Sequence, residues 1–308
     1  MTVLPSAESF DASALTEAKR ARDLQISVCI PAKDEASTIA PIIETIARDL
    51  MEATPLVDEI VVLDDGSTDA TVFTAQSAGA RVVAVDNVLP EAGRGSGKGN
   101  ALWASMYAAN GDLLCWVDGD LVDFPATFVT GLLGPLLEDP SVGYVKGCYR
   151  RPYKGIPGEG GRVTELLARP VISMLFPHLA NIVQPLGGEY AGRRDVLEVI
   201  PFVQGWGVEL GLLLDIAATF GVGAIAQVDL GTRAHRNRPL SELGPQAAAI
   251  LAVALRRAGL GSPDRELHEL IRFDEDLDAV HVPIEVRERP PICTIPGYQA
   301  KFGREASA

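Results

Sequence analysis

Two aspartates one residue apart, Asp118 and Asp120, sit in "LLCWVDGDLVDF" at 113–124. Carboxylates at this spacing suit a hard divalent cation such as Mg2+ or Mn2+, which takes a few protein oxygens and completes its shell with substrate phosphates. Alone, Asp-x-Asp also ends many solvated turns. Its setting favours the metal, because Asp118, Asp120 and Asp123 follow directly on the apolar run "LLCWV". Strand alternation would put Asp118 and Asp120 on one face, and Gly119 between them allows close approach.

A second chemical element is the loop "EAGRGSGKGN" at 91–100. It is neither standard phosphate motif. Ala92 stands where a P-loop has its first glycine, Gly99 stands where the Ser/Thr belongs, and Lys98 occupies the last glycine slot of G-x-G-x-x-G. Arg94 and Lys98 on so pliant a backbone can still meet a diphosphate, helped by backbone N–H groups.

A basic group follows, comprising Arg150, Arg151, Lys154 and Arg162, with a glycine run "GEGG" just before Arg162 and Thr164. The sequence predicts a helix from there, whose first amides attract anions. Arginine adds bidentate geometry toward phosphate. His235 stands in "TRAHRNR" between Arg233 and Arg236, and a neutral imidazole there can ligate a metal. The chain as a whole carries a net charge of −14, which disfavours a nucleic-acid partner. A local basic cluster in so acidic a chain points instead to a small anion.

The elements that must position these residues alternate strand and helix. "ISVCIPA", "DEIVVLDD", "RVVAVDN" and "DLLCWVD" read as strands, with helices in "ASTIAPIIETIARDLM", "STDATVFTAQSAGA" and "GNALWASMYAANG" between them. That order predicts an α/β fold with a mostly parallel central sheet flanked by helices, its strands apolar on both faces. Ligands of such sheets bind beyond the strands' carboxyl ends, and "PAKDEAS", "DDGSTDAT", "GRGSGKGN" and "DGD" all fall there. The expected organisation is a helical leader at 1–24 and a catalytic domain at 25–240, with a nucleotide half to about 120 and an acceptor half beyond. A C-terminal extension at 241–308, helical then irregular, would serve in oligomerisation. Four cysteines with no Cys-x-x-Cys pair read as reduced thiols of a cytoplasmic protein, and the sequence reads as that of a soluble protein, with no membrane partner expected.

"CIPAKDEASTI", "VVLDDGSTDAT", "GKGNAL" and "CWVDGDL" together resemble the GT-A nucleotide-sugar glycosyltransferases, over roughly residues 25–240. "GEGGRVTELLARP", "QPLGGEYAGRRDVL", "GWGVELGLLLD" and "GTRAHRNRPL" narrow the resemblance to the glucosyl-3-phosphoglycerate synthase family. The resemblance implies transfer of glucose from UDP-glucose to the 2-hydroxyl of 3-phosphoglycerate with retention of configuration, by a metal-dependent homodimer. It puts Pro31, Ala32, Glu35 and Asp65 on the uridine, Lys98 on the phosphates, and Asp118 and Gly119 on the donor as well. Asp120 and His235 would bind Mg2+ or Mn2+. Leu186, through its backbone, and Glu209 would hold the donor sugar at the reaction centre. Gly161, Arg162, Thr164, Arg233 and Arg238 would bind the acceptor. One departure is "PLGGEYAG", where a single small residue is expected before Gly-Glu and Gly187 fills the slot.

Other readings stay open on the residues alone. Glu209 could be a general base instead of a sugar ligand. The transferred sugar could be mannose, or the acceptor a polyprenyl phosphate, although the latter would call for a membrane element. A nucleotide-sugar sensor without catalysis is the non-enzymatic alternative, and donor hydrolysis would separate it from an enzyme.

Overall fold

The structure is a computed structural model, and it describes residues 4–151, 161–233, 240–260, 269–284 and 286–303. Its strands are β1 (Ile26–Ala32), β2 (Glu59–Asp64), β3 (Arg81–Ala84), β4 (Leu113–Trp116), β5 (Tyr144–Arg150), β6 (Tyr190–Arg193), β7 (Phe202–Val203), β8 (Ile225–Thr232), β9 (Glu269–Phe273), β10 (Ala279–Pro283) and β11 (Glu288–Arg289). The helices are α1 (Ala12–Ala21), α2 (Ile39–Ala47), α3 (Thr71–Ser77), α4 (Gly97–Ala108), α5 (Thr127–Glu138), α6 (Arg169–Leu175), α7 (Arg194–Leu197), α8 (Val208–Phe220), α9 (Leu240–Arg257) and α10 (Pro296–Phe302).

Seven strands form one sheet in the order β3-β2-β1-β4-β6-β5-β8. β1, β2, β3 and β4 run parallel, whereas β6 lies antiparallel to both β4 and β5. The apolar strands are buried on both faces because successive residues feed different cores. Ile26, Val28 and Ile30 of β1 pack with α2 and α5, while Cys29 joins Leu114, Trp116 and α4 on the other face. In α2 the isoleucine spacing works as the sequence predicts, with Ile39, Ile42, Ile43 and Ile46 fully buried.

Three sequence expectations are corrected. The helix expected from Ser67 begins at Thr71, because the Thr68 N–H donates to Asp34 at 2.7 Å and the Ala36 N–H to Asp69 at 3.2 Å. Residues 67–70 are thereby tied to the loop after β1. Asp118 and Asp120 are not on the strand, since β4 ends at Trp116 and both lie in the turn beyond it. Strand alternation therefore does not set their direction. The chain beyond 240 is also more than a helix with an irregular tail: β9 pairs antiparallel with β10, β11 pairs with β7, and Ile292, Ile295 and Tyr298 complete the core around α4.

Candidate active site

The carboxyl ends of β1, β2 and β4 meet the start of α4 around a cavity of about 400 Å3, lined by Pro31, Ala32, Glu35, Asp65, Lys98, Asp118, Gly119, Asp120 and Trp206 among others. Backbone and side-chain bonds fix this rim. The Asp65 N–H donates to Ala32 O at 3.0 Å, and the Gly97 N–H donates to Asp65 Oδ2 at 3.2 Å. Thr38 Oγ1 donates to Gly119 O at 2.7 Å, which ties the loop after β1 to the Asp-Gly-Asp turn. Burial raises the Asp65 carboxyl above its ordinary range.

The charged centre lies beside that rim. Lys98 Nζ sits 2.6 Å from Asp118 and 2.9 Å from Glu209, bridging the turn after β4 to the first turn of α8. Burial alone would depress this lysine, but Asp118 and Glu209 outweigh it and hold the ammonium above the ordinary lysine range. Burial would likewise raise Asp118, and Lys98 and Arg233 reverse the direction and keep it ionised. Arg233, following β8, reaches Glu189 at 2.6 Å, Asp120 at 3.0 Å and Asp118 at 3.4 Å. Its Nη1 also donates to the Tyr149 hydroxyl at 2.9 Å. Glu189 is fully buried, and burial lifts its carboxyl despite Arg233.

The segment before β6 is pressed into this centre. Gly188 packs so tightly that an added Cβ would lie 2.2 Å from Asp118 Oδ2. At Gly187 a Cβ would come within 3.1 Å of Gly147 O, so this slot before Gly-Glu leaves little room for a side chain. Beneath it Lys146, fully buried on β5, donates to Gly187 O at 2.6 Å and lies over the Tyr190 ring at 4.7 Å. Burial lowers this lysine to about 7, against the pull of Glu209.

A second cavity, about 170 Å3, opens on the far side of the same charges. It is lined by Gly161, Arg162, Thr164, Leu186, Gly188, Arg151, Glu209 and Arg233, and shares Lys98, Asp118, Asp120 and Trp206 with the first. Gly161 has φ +72°, a conformation open to glycine, and the chain is helical from Arg162 onward. A π turn at Thr164–Ala168 precedes α6, a distortion common at functional sites.

The structure thus brings together most of the residues singled out in the sequence. Arg150 is an exception, pairing with Asp229 at 3.0 Å outside both cavities. Arg94 is exposed and lines neither cavity. His235, Arg238 and Lys154 lie outside the described residues. Sequence reasoning missed Trp206, which borders both cavities, although an aromatic between two glycines was a visible signal. It also missed Tyr149, Lys146 and the role of Glu189, since nothing in a strand sequence distinguishes a buried polar residue that is partnered from across the sheet.

A divalent cation has a chemically suitable place here. Among the described residues no group of three or more His, Cys, Asp or Glu gathers to hold a metal. Two neighbouring carboxylates are nevertheless a fitting donor set for Mg2+ or Mn2+ that keeps substrate phosphate as ligand. Asp120, with its side chain 40% exposed, stands at the seam of the two cavities.

Comparison with known proteins agrees with this geometry. The family described as "Glycosyl transferase family 2" matches residues 27–198. Glucosyl-3-phosphoglycerate synthase of Petrotoga mobilis is 45% identical over 94% of this chain and 93% of its own length. The crystal structure of the Mycobacterium tuberculosis glucosyl-3-phosphoglycerate synthase with Mn2+, UDP and glucosyl-3-phosphoglycerate superposes with a TM-score of 0.84 at 41% identity, covering 95% of this chain and 97% of that one. The same enzyme with Mn2+, UDP-glucose and phosphoglyceric acid gives a TM-score of 0.83 at 42% identity, covering 92% and 94%. With the sheet, the paired cavities and the shared acidic turn all accounted for, the chain belongs to the family 2 glycosyltransferases of GT-A fold and, among them, to the glucosyl-3-phosphoglycerate synthases.

Proposed function

We propose that the protein transfers glucose from UDP-glucose to the 2-hydroxyl of 3-phosphoglycerate with retention of configuration, using Mg2+ or Mn2+. The observation that carries this reading is the seam of the two cavities at Lys98, Asp118, Asp120 and Trp206. A donor held at the β1–β2 edge has its diphosphate at that seam, facing an acceptor lodged by Arg162 and Thr164. Asp120 and His235 would hold the ion, which when bound neutralises charge on the departing diphosphate. Lys98 contributes a fixed cation at the same place.

Glu209 serves as a ligand for sugar hydroxyls. Its carboxylate already faces the Lys98 ammonium at 2.9 Å, which suits an oriented acceptor of hydrogen bonds better than a free base. Leu186, on the turn that Lys146 holds from below, lines the reaction cavity beside it. Arg162 and Thr164 grip the acceptor phosphate, with Arg233 between the acceptor and the acidic pair.

The test is a rate screen of UDP-, GDP- and ADP-linked glucose and mannose against 3-phosphoglycerate, with and without Mg2+ or Mn2+. NMR of the product's anomeric proton supplies the stereochemistry. UDP-glucose as best donor and an α-glucoside product are expected. Preference for GDP-mannose, or a β-linked product, would overturn the reading.

No helix among the described residues is long and apolar enough to cross a membrane. The four free cysteines, three of them buried, support a reducing cytoplasm. We also place the chain as a homodimer. Its apolar Ile271, Phe273 and Leu277 stand exposed on the β9–β10 hairpin, and sedimentation as a monomer alone at micromolar concentration would remove this assignment.

A further inference from the structure

Residues 286–303 lie beyond the stretch that the family pattern matches, yet they return to the donor side of the site. β11 pairs with β7, placing Glu288 opposite Val203 and Arg289 opposite Phe202. The Gln204 N–H donates to Arg287 O at 2.8 Å. Arg289 is buried, and its whole guanidinium is aimed at the glycine loop and the start of α4. Nε donates to Asn100 Oδ1 at 2.7 Å, Nη1 to Ala92 O at 2.8 Å and Nη2 to Gly93 O at 2.9 Å. The group also lies over the Trp103 ring at 4.9 Å, while Trp103 Nε1 donates to Pro290 O at 2.9 Å.

The loop so held is short of packing of its own. Gly93 and Gly97 take φ +76° and +74°, a region that constrains glycine little, and Arg94 and Ser96 are exposed. Its far end is tied by the Ser96 N–H donating to Gln204 Oε1 at 2.9 Å and by the Gly97 bond to Asp65. Gly97 at its end and Lys98, the next residue, line the donor cavity. Arg289 at the Ala92 and Gly93 carbonyls, and Gln204 and Asp65 at the Ser96 and Gly97 amides, thus hold the segment that leads into α4 and Lys98 from both ends.

We propose that Arg289 is a positioning residue for the donor diphosphate, acting as a clamp on the 92–97 loop. The inference rests on the donor reading above only for what the loop positions, not for the clamp itself. Three guanidinium bonds together with the contact over the Trp103 ring suit the rigid fork of arginine, and a lysine ammonium can satisfy only part of the set.

The test compares Arg289→Lys and Arg289→Ala with the parent and with Tyr298→Phe, which loosens the same C-terminal segment away from the loop. Trypsin cleavage after Arg94, identified by a fragment beginning at Gly95, reads loop mobility without any ligand. UDP affinity by calorimetry and separate KM values for UDP-glucose and 3-phosphoglycerate read its effect on the site. Arg289→Lys is expected to speed cleavage and raise the donor KM, each about ten-fold, while the acceptor KM stays within about two-fold. Tyr298→Phe is expected to lower Tm without either change. Parental cleavage and UDP affinity in both Arg289 variants would overturn the clamp, as would equal effects from Tyr298→Phe. A parent that fails to bind UDP would instead sink the donor reading, with the cleavage arm still deciding whether the loop is clamped.

Discussion

Arg233 Nη2 lies 3.0 Å from Asp120 Oδ1, so the carboxylate assigned to the cation is already aimed by a buried guanidinium that also anchors on Glu189. This pre-orientation means that removing Asp120 should leave the fold intact while abolishing the response to metal. Asp120→Ala is expected to lose at least about a hundred-fold in rate. Its UDP affinity, measured by calorimetry, should no longer rise on adding Mn2+. Persistent strengthening by Mn2+ in the variant would contradict the assignment.

Gly188→Ala tests the contact on the other aspartate. Its Cβ would lie 2.2 Å from Asp118 Oδ2, whose carboxylate is held by Lys98 at 2.6 Å and cannot swing away without breaking that pair. A drop in kcat of about ten-fold or more is expected, with Tm changed by only a few degrees. A parental kcat would show that the Lys98–Asp118 pair is dispensable.

Arg162→Ala tests the acceptor grip. Charge-assisted bonds to phosphate contribute roughly 1.5–3 kcal/mol each, so the KM for 3-phosphoglycerate should rise about ten- to a hundred-fold. UDP affinity should barely move, since Arg162 lines the acceptor cavity and not the donor one. Unphosphorylated glycerate should be a poor acceptor for the parent. Equal use of the two acceptors would remove the phosphate site.

Lys146 supplies a prediction in pH. Burial lowers it from 10.5 to about 7 in the folded protein, with Glu209, Glu189, Lys98 and Arg151 as the charges around it. Between those values the unfolded chain binds the proton and the folded one does not, so this group makes stability rise with pH. The slope approaches about 1.4 kcal/mol per pH unit across that window, and it is absent below it. Urea unfolding of the parent and of Lys146→Met at pH 7 and pH 9 isolates the contribution. The stability gained by the parent between the two pH values should exceed that of the variant. Identical gains would mean that Lys146 stays charged.

The sequence marked the strand-end edge that lines the larger of the two joined cavities. Strand-end loops such as "PAKDEAS" and "DGD" mark themselves by polarity against apolar runs, and topology alone brings such ends together. Arg162 and Thr164, which line the second cavity, could be singled out because they stand together at one helix start after a glycine run. What stayed hidden depends on distant pairing. Arg150 and Arg151 look alike in sequence, but Arg150 ends β5 and pairs with Asp229, whereas Arg151 lies just beyond the strand and lines the cavity. Nothing near Arg289 hints that it reaches Asn100, nearly two hundred positions earlier, because the bond exists only after β11 finds β7.

The core around α4 has a consequence for how the chain is made. Trp103 donates to the carbonyl of Pro290, 187 positions downstream, and Ile292, Ile295 and Tyr298 seal the same core. During vectorial synthesis the ribosome releases α4 long before those residues exist. The part of the sheet packed on α4 therefore waits with an apolar face uncovered, a situation that favours chaperone capture and penalises translational stalling. Closure of the donor side and completion of synthesis become a single late event, so a prematurely terminated chain would expose its apolar face and not persist as a half-enzyme.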